Sequence, residues 1–351
     1  MDMQVNYGIL ALVPPIIAIG LCFATKQVLI SMFAGLFAGS LIISSWNPLG
    51  ACSYALSVIS SNMADNVILL LFTLFMGVGI SFIWKLGGSF ALAEAAKRRF
   101  KKRRSVCLGT WGLGMACSVN DCLVAAVDGN VFRDICKDYR ISSEKLSYVL
   151  DSTAAPAAAL FISDWIAYQI SMIEQGLEQA GITGISPVSA YIKGLPFNMY
   201  SIFTLIFVGM LMYTGRDYGP MLKAEVRALK TGQYTKPDAN PMLDVGNELG
   251  EPKRTKPMIR SFVLPIAVAF TIIISGIIYT GYTNPARTAT GIMAILDACD
   301  AQMALYWGSF GMAVTGIVIA LTSHIMTFEE TMNTIVDLSL IHISEPTRRS
   351  Y

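Results

Sequence analysis

The chain has 351 residues, 54% of them hydrophobic and 14% charged, with a formal net charge of +2 and a mean hydropathy of +0.55. Soluble domains carry roughly a quarter charged residues, so this composition specifies an all-α polytopic membrane protein, and so small a net charge excludes a nucleic-acid binder. Seven cysteines without CxxC or Cys/His spacing, mostly inside apolar runs, exclude a metal cluster and a disulfide framework.

A helix needs about 20 residues to cross about 30 Å of hydrocarbon. Apolar runs of that order occur at 7–24, 28–46, 67–84, 150–173, 195–213, 261–281 and 303–321, which predicts about seven transmembrane helices. Gly35 and Gly39 form a GxxxG in the second run, a helix-packing signal. Lys26 marks the first loop, and 47–66 holds no Lys or Arg. The first loop is therefore expected to be cytoplasmic and the second and the N-terminus external. Met1-Asp2-Met3 lacks the positive n-region of a signal peptide, so the first run is expected to stay as an anchored helix.

The third run leads to Lys97-Arg98-Arg99-Phe100-Lys101-Lys102-Arg103-Arg104, the strongest positive cluster of the chain. The loop 131–147, with Arg133, Lys137, Arg140 and Lys145, also reads as cytoplasmic. Two cytoplasmic loops flank the apolar segment 105–130, which is too short for two crossings; a re-entrant hairpin is the economical reading, against a single polar span. The long polar stretch 216–259 is expected to be a third cytoplasmic loop. A surface helix is expected from Met221 to Leu229, and Pro237, Pro241 and Pro252 make the remainder irregular.

The string from Leu338 to Arg348, Leu-Ser-Leu-Ile-His-Ile-Ser-Glu-Pro-Thr-Arg, looks like the translation of a sequencing-library adapter. Residues 338–351 are therefore set aside, leaving 1–337 as one transmembrane domain expected to be cut short at its C-terminus. His324 is then the one authentic histidine. With no HExxH or suitably placed GxSxG, no enzyme and no cofactor are expected.

The polar residues inside the apolar segments carry the functional signal, because an intramembrane carboxylate marks an ion or proton site by default. Asn120-Asp121 lies in the proposed hairpin beside Ser118 and among glycines; Asp128 lies nearer its returning end. The next segment opens Asp151-Ser152-Thr153-Ala154-Ala155-Pro156. Pro156 removes a backbone donor and frees a carbonyl one turn earlier, which reads as a broken helix of the kind that holds ions in transporters. The competing reading is that Asp151, Ser152 and Thr153 cap a helix N-terminus at the cytoplasmic surface. Asp164 lies further along the same run, where burial raises a carboxyl pKa toward neutrality. The proposed Na⁺ site is Asn120, Asp121, Asp151, Ser152 and Thr153, with Asp121 and Asp164 as proton-linked groups.

The run from Arg140 to Pro156, Arg-Ile-Ser-Ser-Glu-Lys-Leu-Ser-Tyr-Val-Leu-Asp-Ser-Thr-Ala-Ala-Pro, together with 129–133 and the run Gly219-Pro220-Met221-Leu222-Lys223-Ala224-Glu225-Val226-Arg227-Ala228, resembles NhaC-type sodium/proton antiporters. Weaker similarity extends over 7–337. The resemblance implies hairpins and broken helices in two inverted halves, of which this chain holds the first half or more, with Na⁺ and H⁺ as the transported partners in a cell membrane. The chain departs from the pattern at Asn120-Asp121-Cys122, where relatives carry an acidic pair and an aromatic, at Asp134, where they often have Pro, and at Asp164, where they have an uncharged residue. These departures leave a second expectation open, a sodium- or proton-coupled carrier of a small organic acid or amino acid. A homodimer is compatible with these features.

Overall fold

The computed structural model describes residues 7–118, 124, 129–161, 163–182, 185–236, 253, 256, 258–285 and 291–336. Among them every regular element is helical, as the composition requires of a membrane-embedded chain: only helices and closed barrels satisfy the backbone in lipid. The described residues form two compact units, one up to Leu70 and one from Leu71.

In the first unit a 3₁₀ turn, Gly8–Leu12, leads into α1 (Val13–Thr25), followed by α2 (Val28–Ile43) and α3 (Pro48–Asp65). Pro14 and Pro15 sit in the first turn of α1, where a missing N–H is harmless. Lys26 closes that helix in the left-handed region, φ 57°, with its N–H on the Cys22 carbonyl. The GxxxG does pack helices: a Cβ on Gly35 would lie 2.8 Å from the Ala18 Cβ and 2.9 Å from the Pro14 carbonyl oxygen. The external loop expected at 47–66 is instead the helix α3. Asn47 caps it by accepting from the N–H of Leu49 and Gly50 at 3.1 and 3.3 Å, with Pro48 at its start. Its Ser and Asn content hid it from a hydropathy reading, although Asn-Pro is a helix-start signal.

The second unit continues with α4 (Val67–Lys85), which begins at the boundary, α5 (Gly88–Arg99), α6 (Arg103–Ala116), α7 (Gly129–Asp138), α8 (Ser143–Ala158), α9 (Asp164–Gln179), α10 (Pro187–Gly194), α11 (Met199–Thr214), α12 (Gly219–Thr231), α13 (Arg260–Thr283), α14 (Ile292–Ala298) and α15 (Ala301–Thr322). Residues 328–336 are helical again. Gly8–Thr25, α4, α13 and α15 are each long and apolar enough to cross a membrane, while α2 is apolar but shorter. The stretch Met199–Thr231 also qualifies by length. Gly215, in the left-handed region at φ 67°, ends its first part at Thr214, so its apolar share is α11, and α12 is a separate helix. The span expected at 150–173 is two helices, α8 and α9. Of the segment expected to form a hairpin at 105–130, α6 and the start of α7 are described, and these two helices pack on each other; residues 119–123 and 125–128 lie outside the described residues.

Val78 and Phe82 of α4, Leu86 just after it, Met258 just before α13, Ala313, Ile319 and Ala320 of α15, and Met326 beyond α15 form one core. Glycines set the spacing. A Cβ on Gly316 would meet the Phe82 Cβ at 2.8 Å, one on Gly308 would meet Ile273 at 2.3 Å, and one on Gly276 would meet Ala304 at 3.1 Å. Lipid is as apolar as leucine, so close packing at small residues, not burial as such, holds these helices together.

Candidate ion site at a broken helix

α8 is the centre of the other half of this unit, packed against α6, α7, α11 and α12. It starts where the sequence says it should: Ser142 has extended backbone and its Oγ accepts from the Lys145 N–H at 3.3 Å, with Glu144 in the first turn, where a helix favours negative charge. Pro156 lies buried inside the helix. Having no N–H, it leaves the Ser152 carbonyl without its helical donor.

The break comes three residues later and is built by side chains. Buried Ser163, 1% exposed, donates its hydroxyl to the Ala158 carbonyl and accepts from the Ile166 N–H at 3.3 Å. One hydroxyl thus ties the end of α8 to the start of α9. Tyr191 of α10 donates to the Ala159 carbonyl at 2.6 Å. Two of the carbonyls that a helix C-terminus leaves open are thereby satisfied, so the break is a constructed feature of the fold.

Asp151, Ser152 and Thr153 lie about two turns into α8. The capping alternative therefore fails, since Ser142 is the cap. Asp151 is exposed and Ser152 half-buried. Thr153 is fully buried, and its Oγ1 has no hydrogen-bond partner. A helical threonine ordinarily bonds the carbonyl one turn back, and a buried hydroxyl without any partner calls for an explanation. Asp164 is the first residue of α9 rather than a deep member of α8's span; the placement suits a carboxylate at a helix N-terminus. The Asp164 side chain, Asn120, Asp121 and Asp128 lie outside the described residues. The structure thus brings Asp151, Ser152, Thr153 and Pro156 onto one helix beside the break. Among the described residues no group of three His, Cys, Asp or Glu side chains is arranged to hold a metal ion.

Sequence reasoning missed a cluster at the beginning of α8. The expected surface helix in 216–259 is α12, and it is docked: Ala224, Glu225 and Ala228 are buried. Glu225, 2% exposed, accepts through Oε1 from the N–H and Oγ of Ser142 at 2.7 and 2.8 Å. Its Oε2 binds Arg103 of α6 and lies 3.6 Å from the Lys145 Nζ. Lys145 donates to both oxygens of Asp217 at 2.7 and 2.9 Å. Two cations from α6 and α8 thus meet two carboxylates from the segment before and within α12.

Further contacts reinforce this strap. Arg227 donates to both Glu144 oxygens at 2.9 and 2.8 Å, the Ser143 N–H reaches the Tyr234 carbonyl at 3.0 Å, and Arg140 reaches the Leu229 carbonyl at 3.2 Å. Partial burial acts to raise the Glu144 pKa, but the hydrogen bonds and charge of Arg227 hold the carboxyl below its usual range. Burial pushes the Tyr234 phenol up. Gly215, Gly219 and Gly232, each at positive φ, provide the turns on either side of α12.

The sequence is similar to known proteins in two respects. The profile of the Na⁺/H⁺ antiporter family matches residues 157–337. A protein of Haemophilus influenzae (strain Rd), described as an uncharacterized protein, is 33% identical over 278 residues, covering 77% of this chain and 51% of its own length. The chain therefore spans about half the length of the curated relative it matches. No solved structure matches it.

Proposed function

This chain belongs to the Na⁺/H⁺ antiporter family, and we propose on that basis that it is part of an NhaC-type secondary transporter exchanging sodium ions for protons across a cell membrane. The observation that supports an ion site is the buried, unpartnered hydroxyl of Thr153, one residue from the Ser152 carbonyl that Pro156 leaves without a helical donor. Ion ligation gives both oxygens a use. Neutral oxygens with few charges suit a weakly held alkali ion. In this reading Asn120, Asp121 and Asp151 complete the sodium site with Ser152 and Thr153, and Asp164 carries or relays a proton.

One carboxylate-bearing site that binds either Na⁺ or H⁺, opened alternately to each side, suffices for exchange without any covalent step. Ser163 ties the end of α8 to the start of α9 and Tyr191 ties that end to α10, so the site is read as sitting on fixed backbone rather than on a frayed one. The protein is read as a transporter and not an enzyme. The inverted partner half that this mechanism needs is proposed to lie outside the matched half.

The test is sodium-driven proton flux in proteoliposomes, followed with a pH-sensitive dye. Asp121→Asn is expected to abolish the flux. Unchanged flux in that variant would sink the assignment of the site.

A further inference from the structure

A groove of about 750 Å³ lies between α5 and α6, and no residue of the broken helix lines it. Its walls are apolar: Leu92 and Ala95 of α5 face Leu108, Leu113 and Ala116 of α6. The Phe100 ring forms a fixed part of the lining, since it fills the space that a Cβ on Gly109 would need, at 2.6 Å, and rests tilted on Phe132 with centroids 5.9 Å apart. The α6 wall follows helical spacing from Ser105 to Ala116, about 16 Å of helix. That matches one leaflet of hydrocarbon, half of about 30 Å.

The mouth of this groove is the corner that joins α5 to α6, the strongest cationic cluster of the sequence. Most of its charges are engaged. Lys97 pairs with Asp138 at 3.5 Å, Arg98 with Glu94 and Arg103 with Glu225, and Arg104 lies over the Tyr213 ring at 4.8 Å. Arg99, Lys101 and Lys102 are exposed and have no carboxylate partner among the described residues. Arg99 itself lines the groove. Three uncommitted cations thus stand at the open end of a leaflet-length apolar channel, on the side that the positive-inside rule assigns to the cytoplasm, where membranes carry their anionic lipids.

We propose that this groove binds an anionic phospholipid, with one acyl chain along α6 and the phosphate held by Arg99, Lys101 and Lys102. Charge complementarity selects the headgroup, and the apolar walls select a lipid over a free anion. The site does not depend on which ion the protein transports.

The purified chain in detergent, supplied with phosphatidylglycerol or phosphatidylcholine, tests this by native mass spectrometry of retained lipid and by the shift in melting temperature. Phosphatidylglycerol is expected to be retained in preference and to raise the melting temperature. The triple variant Arg99→Gln/Lys101→Gln/Lys102→Gln is expected to lose on the order of a hundredfold in that preference, since each cation near an anionic surface contributes severalfold. A Cβ on Gly112 meets nothing within 4 Å, so Gly112→Leu should fill the channel. It is expected to abolish retention with the cations intact and the melting temperature in phosphatidylcholine unchanged. Ala116→Leu, at an exposed position further along the same wall, measures the same effect independently should Gly112→Leu fail to fold. Equal retention of both lipids, wild-type retention in the variants, or an equal shift produced by inorganic phosphate alone would each overturn the proposal.

Discussion

The pair α13–α15 and the group around α8 belong to the same unit and use their contacts in opposite ways. Between α13 and α15 glycines stand against aliphatic side chains too closely to admit a Cβ without a shift, as at Gly308 with Ile273 and Gly276 with Ala304. Around α8 the closest contacts are charged or hydroxylic: Glu225 with Ser142, Lys145 with Asp217, and Ser163 across the break. The first arrangement is a permanent seam, since interdigitated small residues have one good register. The second places separate short helices on side-chain tethers, an arrangement compatible with the proposed ion site. The difference teaches where to look for function in an apolar chain: at the junction held by polar atoms.

The sharpest way to break that comparison is at Glu225. Glu225→Ala takes the carboxylate away from Arg103 and leaves Lys145 with Asp217 alone, and the expected loss is about 3–5 kcal/mol, read as a fall in the melting midpoint of the purified protein. Replacing Arg103, Lys145, Asp217 and Glu225 together with apolar residues of similar volume should recover much of it. A loss below about 1 kcal/mol, the range of exposed pairs, would show that the tethers around α8 are ornamental and the contrast false.

Next in size is the seam. In Gly308→Val the added Cβ lies 2.3 Å from Ile273 and 3.1 Å from the Ala269 carbonyl oxygen, and backbone cannot step aside as a side chain can. Overpacking of this kind costs about 1–3 kcal/mol, and the same midpoint measurement should report it. Sodium affinity should stay at the wild-type value if the seam is only a seam.

These two sites differ in how far the sequence announced them. The apolar runs behind α4, α13 and α15 were legible because about 20 apolar residues in a row have one use. The GxxxG of α2 was legible for the same local reason. The α8–α9 break was anticipated from Pro156 but sits three residues later. A helical proline deletes one hydrogen bond without ending the helix, and the stop comes from Ser163, whose role as a cap before Asp164 was a readable signal. The cluster at Glu225 was not legible. Glu225 is 122 residues from Arg103 and 83 from Ser142, and within its own segment it looks like one more solvated charge on a cytoplasmic helix. α3 was missed because its polar content masked a helix that Asn47 and Pro48 announce.

The third test addresses the proposed ion site. Thr153→Val keeps the shape and removes a hydroxyl that has no partner. A buried hydrogen-bonded hydroxyl would cost about 1 kcal/mol or more to delete; here stability is expected to hold or rise slightly. If that oxygen ligates sodium, the concentration of Na⁺ for half-maximal proton flux should rise severalfold to about tenfold, the equivalent of one lost hydrogen-bond-strength contact. Lower stability with unchanged sodium dependence would assign Thr153 to packing and move the site elsewhere.

The smallest expected effect lies at the edge of the strap, and its sign discriminates. Partial burial works against the Glu144 charge, yet Arg227 holds its pKa below the ordinary 4.5. The pair therefore stabilises the folded state at pH values above 4.5, and that contribution is lost as pH falls through the folded-state value. With the Glu144 side chain 38% exposed, solvent screening keeps it below about 1 kcal/mol. Wild type should accordingly melt slightly higher than Glu144→Gln at neutral pH, and the two curves should converge on acidification below the carboxylate range. A gap that persists into acid would mean that the strap is held at Glu144 by packing, and that only the buried core of Glu225, Lys145 and Asp217 ties α12 to the broken helix electrostatically.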